Sequence, residues 1–164
     1  MSSGKTTLGK KLARLLNYRF IDLDKLIEKD QGMDIPSIFK NYGEAHFREI
    51  ERKVLLEVQP QKGMVIASGG GAPCFFDNMK VINEMGVSVY LDVPAAELAR
   101  RIESHGKDDR PILSGAASIL DTLQAKISER EPFYSQAKVR LTGEVDIKHL
   151  HEAVKAHLQK KPWQ

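Results

Sequence analysis

The amino-acid sequence predicts an α/β fold in which a parallel sheet is covered by helices on both faces. Short apolar segments alternate with longer amphipathic segments along the chain, which is the order of parallel strands joined by helical crossovers. One apolar segment ends in Asp22 and Asp24, and another ends in Ser68-Gly69-Gly70-Gly71. Open α/β sheets bind ligands beyond the carboxyl ends of their strands. The aspartate pair therefore stands where such a sheet is expected to hold a ligand.

Length and composition narrow the class of protein. The chain has 164 residues, of which 41% are hydrophobic and 29% charged, so we expect one domain spanning 1–164 and neither a disordered nor a membrane-spanning chain. The net charge of +3 is small, which suits an anionic small ligand better than nucleic acid. The single cysteine, Cys74, excludes an internal disulfide and lies apart from the histidines. We therefore expect no structural zinc site and, without a leader pattern, a cytoplasmic protein with no membrane partner.

The first residues carry part of a phosphate-binding motif. Gly4-Lys5-Thr6 matches the second half of the pattern Gly-x-x-x-x-Gly-Lys-[Ser/Thr]. In that motif the backbone N–H groups and a helix N-terminus face the polyphosphate, the lysine reaches the terminal phosphates and the hydroxyl holds magnesium. The first glycine and the strand that leads into the loop would precede Met1. The alternative interpretation is a short flexible start to a helix.

The next elements are a helix and a strand. Residues 8–16 place four leucines on one helical face, and Asn17 is expected to end that helix. Residues 20–23 then form a strand that leads into the carboxylate pair. Asp22 and Asp24 are two residues apart, so on an extended backbone their side chains point to the same side. The alternative is that one of them is the N-cap of a helix over 25–29.

Two helices and a glycine-rich strand end follow. We predict helices over 35–39, where Asp34 is a plausible cap, and over 43–58. A strand over 65–68 runs into Gly69, Gly70 and Gly71. Three consecutive glycines carry a large entropic cost on folding. They form either a flexible turn or a bare backbone against which another group packs.

The second half of the chain continues the alternation. Pro132 is expected to stop the last but one helix, and residues 104–115 are polar and interrupted by glycine and proline. The predicted helices cover 77–85, 95–103, 118–130 and 146–159, and the predicted strands cover 87–91 and 139–141.

Three arginines are candidate ligand-binding residues, because the guanidinium group has the planar fork that suits carboxylate and phosphate. They are Arg48, Arg110 and Arg130. Each also has an ordinary interpretation. Arg48 is spaced for a surface ion pair with Glu51, Arg110 lies in a polar segment, and Arg130 is a cation near a helix C-terminus.

In combination these motifs resemble the shikimate kinases, within the nucleoside-monophosphate-kinase-like branch of the P-loop NTPases. The resemblance covers almost the whole chain and implies a three-layer α/β/α fold whose first, central strand is missing here. A structure should therefore show a gap or a distorted centre in the sheet. The matching segments are Gly4-Lys5-Thr6-Thr7, Phe20-Ile21-Asp22-Leu23-Asp24, Gly43-Glu44-x-x-Phe47-Arg48-x-x-Glu51, Ser68-Gly69-Gly70-Gly71-Ala72, Arg110-Pro111-Ile112-Leu113 and Arg130-x-Pro132-x-Tyr134.

The resemblance implies that ATP, with Mg²⁺, phosphorylates the 3-hydroxyl of shikimate on the route to chorismate and aromatic amino acids. It implies that Asp24, Lys5 and Arg110 are catalytic and that Thr6 and Asp22 hold the metal. The implied nucleotide-binding residues are Ser3, Gly4, Lys5, Thr6, Thr7, Arg101 and Arg110. The implied substrate-binding residues are Asp24, Arg48, Gly69, Gly70, Gly71 and Arg130.

The resemblance also implies a lid over about 104–115, substrate-binding helices over about 23–58, a monomer, and a bracing contact from Glu51 to Arg48. Two alternatives stay open at this point. One is a kinase for another small polyol acid such as gluconate, and the other is a truncated nucleotide-binding protein without catalytic activity.

Overall fold

The computed structural model describes residues 3–58, 63–105 and 118–160. Strands and helices alternate along them, as the hydrophobic pattern predicts. The strands are β1 (Arg19–Asp22), β2 (Met64–Ala67), β3 (Val89–Asp92) and β4 (Val139–Thr142). The helices are α1 (Lys5–Leu16), α2 (Leu23–Gln31), α3 (Ile35–Glu57), α4 (Asn78–Met85), α5 (Ala95–His105), α6 (Ile119–Tyr134) and α7 (Ile147–Lys160), and a short 3₁₀ turn covers Ala72–Cys74.

The four strands form two parallel pairs. β1 pairs with β2, with Asp22 opposite Ala67, and β3 pairs with β4, with Asp92 opposite Thr142. Among the described residues no strand joins the two pairs by hydrogen bonds, which agrees with the gap expected at the centre of the sheet. The parallel pairing and the helical crossovers confirm the predicted α/β/α class.

Helices cover both pairs of strands. One apolar cluster is centred on Leu12 of α1 and on Leu150 and Val154 of α7, and Val65 of β2 and Val89 of β3 pack against it. Both strand pairs therefore share one covering layer. A second cluster packs α2 and α3 against the β1–β2 pair, and a third joins α5 to α6.

Two local predictions need correction. The backbone is helical from Leu23 onward, so Asp24 lies in a helix and not on an extended strand. By contrast, the two helices predicted over 35–39 and 43–58 are confirmed as two helical segments within α3, which meet at Gly43, where φ of 81° and ψ of 173° are non-helical and favour glycine. Pro132 lies inside α6 and does not stop it, because a proline near a helix C-terminus removes a single N–H donor while the next turn still forms.

Candidate functional site

The glycine at the start of α1 leaves the helix N-terminus open. Gly4 is the N-cap residue, its φ is 87°, and it has no side chain to cap the first N–H groups. No acidic residue stands in the first turn, which contains Lys5, Thr6 and Thr7. Uncapped N–H groups and the positive end of the helix dipole form an anion-binding arrangement.

A cavity of about 250 Å³ lies beside this helix start. Ser3, Gly4, Thr7 and Arg101 line it together, so the structure brings together four of the residues predicted to bind nucleotide. Sequence reasoning missed the opposite wall, which is made by Val93, Gly143, Glu144 and Val145. These residues directly follow β3 and β4, and their position after two strands is the signal that could have identified them.

Arg101 is held in place on α5. Its Nε donates to Oε1 of Glu97 at 2.7 Å. The hydrogen bonds from Arg100 and Arg101 lower the pKa of Glu97 to about 2, so Glu97 stays ionised at neutral pH. This contact fixes the Arg101 guanidinium at the mouth of the cavity.

The two aspartates take different positions. Asp22 is the last residue of β1 and the N-cap of α2, and its Oδ1 accepts from the N–H of Asp24 at 3.1 Å. Burial raises the pKa of Asp24, the charge of Lys5 opposes that rise and the charge of Asp22 adds to it. Lys5, Asp22 and Asp24 therefore form one electrostatic group, although the capping alternative is also correct for Asp22.

Arg48 is buried, and its ion pair is not a surface one. Only 7% of its side chain and 1% of the Glu51 side chain are exposed, and Nη1 donates to Oε2 of Glu51 at 2.7 Å. Burial raises the pKa of Glu51 while the Arg48 charge opposes the rise. Removing one partner from such a buried pair costs about 3–5 kcal/mol, so Glu51 fixes Arg48 firmly.

A second carboxylate contacts Arg48 on its outer edge. Oε1 of Glu44 accepts from Nη2 at 3.0 Å and from Nε at 3.3 Å. The Glu44 side chain is 57% exposed. The Nε–Nη2 edge of Arg48 therefore already carries a weakly held carboxylate.

Two aromatic rings flank the Arg48 guanidinium. Its Cζ lies 4.2 Å from the centre of the Phe75 ring and 5.0 Å from that of Phe47, distances at which cation–π attraction operates. Phe75 follows the 3₁₀ turn after the glycine run, and sequence reasoning missed it. Phe47 belongs to the motif around Arg48 and to the apolar face predicted for the helix over 43–58, and it is buried.

The glycine run packs against charged side chains and is not an unconstrained turn. A methyl group at Gly69 would lie 3.1 Å from Oδ1 of Asp24 and 3.2 Å from Oε1 of Glu51. One at Gly71 would lie 2.5 Å from Nη2 of Arg48. Only glycine leaves room for these groups, so the run brings α2, α3 and the end of β2 to one place.

Arg130 of α6 acts electrostatically on residues of the same site. Its charge lowers the pKa of Glu51 against the effect of burial, and it acts likewise on the Cys74 thiol. Tyr134, one turn further along α6, donates from its hydroxyl to the carbonyl oxygen of Gly70. Arg48 of α3 thus packs on the glycine run, and α6, which carries Arg130, is bonded to the run through Tyr134. Arg110, the remaining predicted arginine, lies outside the described residues.

The Mg²⁺ ligands suggested by the sequence fit a site shared with phosphates. The Thr6 hydroxyl and the Asp22 carboxylate are the oxygen ligands that Mg²⁺ prefers, usually one or two from the protein with the rest from phosphates and water. Only Oδ1 of Asp22 is engaged within the described ranges. In the same ranges no three His, Cys, Asp or Glu side chains form a metal-binding group, so a site made by the protein alone is not indicated.

Two further observations concern the rest of the described chain. A cavity of about 490 Å³ lies among β1, α2 and the end of α3, and it contains Arg19 and Met64 at the strand starts. It is remote from the carboxyl ends of the strands, where ligands of such sheets bind. In the parts of the chain described, no helix has the length and apolar character needed to cross a bilayer.

Comparison with known proteins gives a consistent answer. A family profile described as shikimate kinase matches residues 1–160. A shikimate kinase from Parabacteroides distasonis is 46% identical over 148 residues, which cover 88% of this chain and 84% of that protein. A shikimate kinase from Bacteroides fragilis is 47% identical over 139 residues, which cover 84% of this chain and 77% of that protein.

Solved structures agree with the sequence relatives. Shikimate kinase from Bacteroides thetaiotaomicron has a TM-score of 0.83 at 40% identity, over 98% of this chain and 93% of that one. Shikimate kinase from Acinetobacter baumannii in complex with shikimate has a TM-score of 0.82 at 33% identity, and the match covers 98% of this chain and 87% of that one. The expected P-loop NTPase fold is confirmed.

Proposed function

Because this chain belongs to the shikimate kinase family, we propose how its residues carry out the ATP-dependent phosphorylation of the 3-hydroxyl of shikimate. This reaction leads towards chorismate and the aromatic amino acids. The observation that carries the assignment of residues is the convergence of Arg48, Arg130 and Asp24 on the glycine run.

Arg48 and Arg130 bind the carboxylate of shikimate. Arg48 is buried, braced by Glu51 and flanked by Phe75, so its guanidinium is oriented before the substrate arrives. The charge of Arg130 acts on Glu51, the partner of Arg48, which supports a shared anion site. Charge-assisted hydrogen bonds from arginine to carboxylate are among the strong ones.

The backbone of Gly69, Gly70 and Gly71 meets the ring of the substrate. Because the run packs closely against Asp24, Glu51 and Arg48, its peptide groups lie next to the side chain proposed to bind the carboxylate and to the one proposed to bind a hydroxyl. A ring held there has its acid group towards Arg48 and a hydroxyl towards Asp24.

Asp24 orients the attacking hydroxyl and accepts its proton. The side chain is half-buried and feels the charge of Lys5, the residue that holds the transferring phosphoryl group. Catalysis of phosphoryl transfer depends mainly on such positioning and on neutralising the developing charge. In this arrangement Asp24 acts on the nucleophile and Lys5 on the phosphate.

ATP occupies the open N-terminus of α1 and the cavity beside it. Ser3, Gly4, Lys5, Thr6 and Thr7 contact its phosphates, and Arg101 covers the adenine. Thr6 and Asp22 would hold Mg²⁺, which supplies charge neutralisation between the phosphates when bound.

The remaining assignments are proposals from the family resemblance. Arg110 acts on the phosphates from a lid over about 104–115, and residues 23–58 provide the substrate-binding helices of a single domain. The protein acts as a cytoplasmic monomer without nucleic-acid or membrane partners. Sedimentation equilibrium of the purified chain measures the oligomeric state.

The assignment is tested by an ADP-release assay with Mg²⁺ and ATP, in which shikimate and gluconate are compared as acceptors. We expect turnover with shikimate and little with gluconate, and we expect R48A and R130A to weaken shikimate binding by about 1.5–3 kcal/mol each. Arg100, an exposed arginine paired with Glu97, supplies the control R100A, which should bind normally. Gluconate turnover equal to that of shikimate would overturn the acceptor assignment.

A further inference from the structure

One tyrosine hydroxyl connects two parts of the acceptor site that are far apart in the chain. Oη of Tyr134, at the end of α6, donates to the carbonyl oxygen of Gly70 at 2.5 Å, across 64 residues of sequence. Arg130 lies one turn earlier on the same helix, and its charge acts on that hydroxyl. The hydroxyl therefore links the helix that carries Arg130 to the backbone of Gly70, and both of these residues are proposed to bind shikimate.

The ring that carries this hydroxyl is fixed by packing. It lies against the ring of Tyr90 from β3, with 4.7 Å between the ring centres and 37° between the planes. Such offset aromatic pairs are favourable in themselves. The hydroxyl of Tyr90 has a different role, because it donates to Oδ1 of Asp92 at 3.2 Å. The two hydroxyls of one aromatic pair thus serve separate networks.

In the glycine run the carbonyls of Gly69 and Gly71 accept backbone N–H groups at 3.2 and 2.9 Å, whereas the Gly70 carbonyl accepts from the side chains of Tyr134 and, at 3.9 Å, Cys74. Glycine visits many backbone conformations at little steric cost, so three in succession do not fix the direction of their peptide groups. The peptide group is planar, so a hydrogen bond that holds the carbonyl of Gly70 also sets the direction of the N–H of Gly71. Gly71 is in turn the residue packed on Arg48.

We propose that Tyr134 is a positioning residue for the acceptor, because its hydroxyl joins the end of α6, which carries Arg130, to the Gly70 carbonyl and so sets the glycine run and the carboxylate-binding arginine in register. This inference rests on the proposed function, in which Gly70 and Arg130 contact shikimate. Tyr134 itself touches neither reacting atom. Its contribution is to affinity for shikimate and not to affinity for ATP.

The test is Y134F, which keeps the ring packed on Tyr90 and removes only the hydroxyl. Y90F is the matched control, since it removes the other hydroxyl of the same ring pair. Isothermal titration calorimetry gives the Kd for shikimate and the Kd for Mg-ATP, and a thermal melt monitors folding. We expect Y134F to raise the Kd for shikimate about tenfold, the scale of one hydrogen bond, with the Kd for Mg-ATP changed less than twofold. Y90F should change neither Kd by more than twofold.

Other outcomes overturn the inference. A shikimate Kd within twofold of the parent in Y134F, with or without a lower melting temperature, makes Tyr134 a merely structural contact. Equal weakening of shikimate and Mg-ATP, or the same effect in Y90F, does so as well. R48A and R130A separate this result from the proposed function. If they weaken shikimate binding while Y134F does not, only the positioning role fails, and if none of the three variants weakens it, the acceptor site itself is misassigned.

Discussion

Adding one methyl group at Gly71 should damage the acceptor site without straining the backbone. Gly71 has φ of −85° and ψ of −24°, a conformation that alanine adopts readily. The new Cβ would lie 2.5, 2.6 and 2.8 Å from Nη2, Nη1 and Cζ of Arg48. Ordinary contacts of a Cβ atom begin at 3.4 Å, so the guanidinium has to move by up to about 0.9 Å. The dense packing of a protein interior leaves little space for that movement.

Arg48 has little freedom for such a shift. Its Nη1 is bonded to the buried carboxylate of Glu51, and Phe75 lies on one face of the guanidinium. A shift of this size sacrifices at least one charge-assisted hydrogen bond, worth roughly 1.5–3 kcal/mol. G71A should therefore raise the Kd for shikimate by roughly 10- to 100-fold, since each 1.4 kcal/mol corresponds to a factor of ten.

Calorimetric titration with shikimate and with Mg-ATP measures this effect. Gly86 provides the control, because no atom lies within 4 Å of the methyl group it would carry and its backbone is extended. G86A should bind both ligands normally. If G71A bound shikimate within twofold of the parent, the Gly71–Arg48 packing would have no part in substrate recognition.

Three more predictions concern the carboxylates of the site. D24N should lower turnover by roughly 100-fold or more, the usual scale for a general base. Its affinity for Mg-ATP, measured by titration, should be nearly unchanged. Normal turnover would make Asp24 a structural helix residue. Burial raises the pKa of Asp24 above its usual 3.8, so the active, ionised form is lost as pH falls through that raised value. When kcat is measured against pH, its decline on the acid side should therefore come at a higher pH than an ordinary aspartate would give. E44Q should tighten shikimate binding by about twofold. The shikimate carboxylate has to displace Glu44 from Arg48, and this exposed ion pair is worth roughly 0.3–0.5 kcal/mol. Weaker binding of E44Q in calorimetry would show that Glu44 supports the arginine instead.

The order of elements could be predicted from the sequence because it follows from local periodicity. The four strands were placed to within two residues of their observed bounds. Asp24 and Arg48 could be named as candidate site residues because their residue types and motifs are visible in the chain, and their roles stay predictions. The helical start at Leu23 could not be predicted, because it depends on the cap formed by Asp22, and the pattern left that alternative open.

Contacts between distant segments were beyond the sequence pattern. Tyr134 could be noted as part of a motif, but its bond to Gly70 joins residues 64 apart, and no periodicity records such a pairing. The wall formed by Gly143 and Val145 depends in the same way on how two strand pairs are placed. The prediction that Pro132 stops α6 was wrong. A proline inside a helix usually breaks it, but this one lies near the helix C-terminus, and the helix continues to Tyr134.

The pairing of the strands has a consequence for the order of folding. Arg19 of β1 lies opposite Met64 of β2, and Val89 of β3 lies opposite Val139 of β4, so each pair closes a loop of roughly 50 residues, and long-range closures of this kind slow folding. Helices form earlier because their bonds are local. Arg48 and Glu51 share α3 and can meet at that early stage, whereas the Gly70–Tyr134 contact requires both ends of a 64-residue segment. A newly made chain can therefore form the Arg48–Glu51 pair before its glycine run is joined to α6.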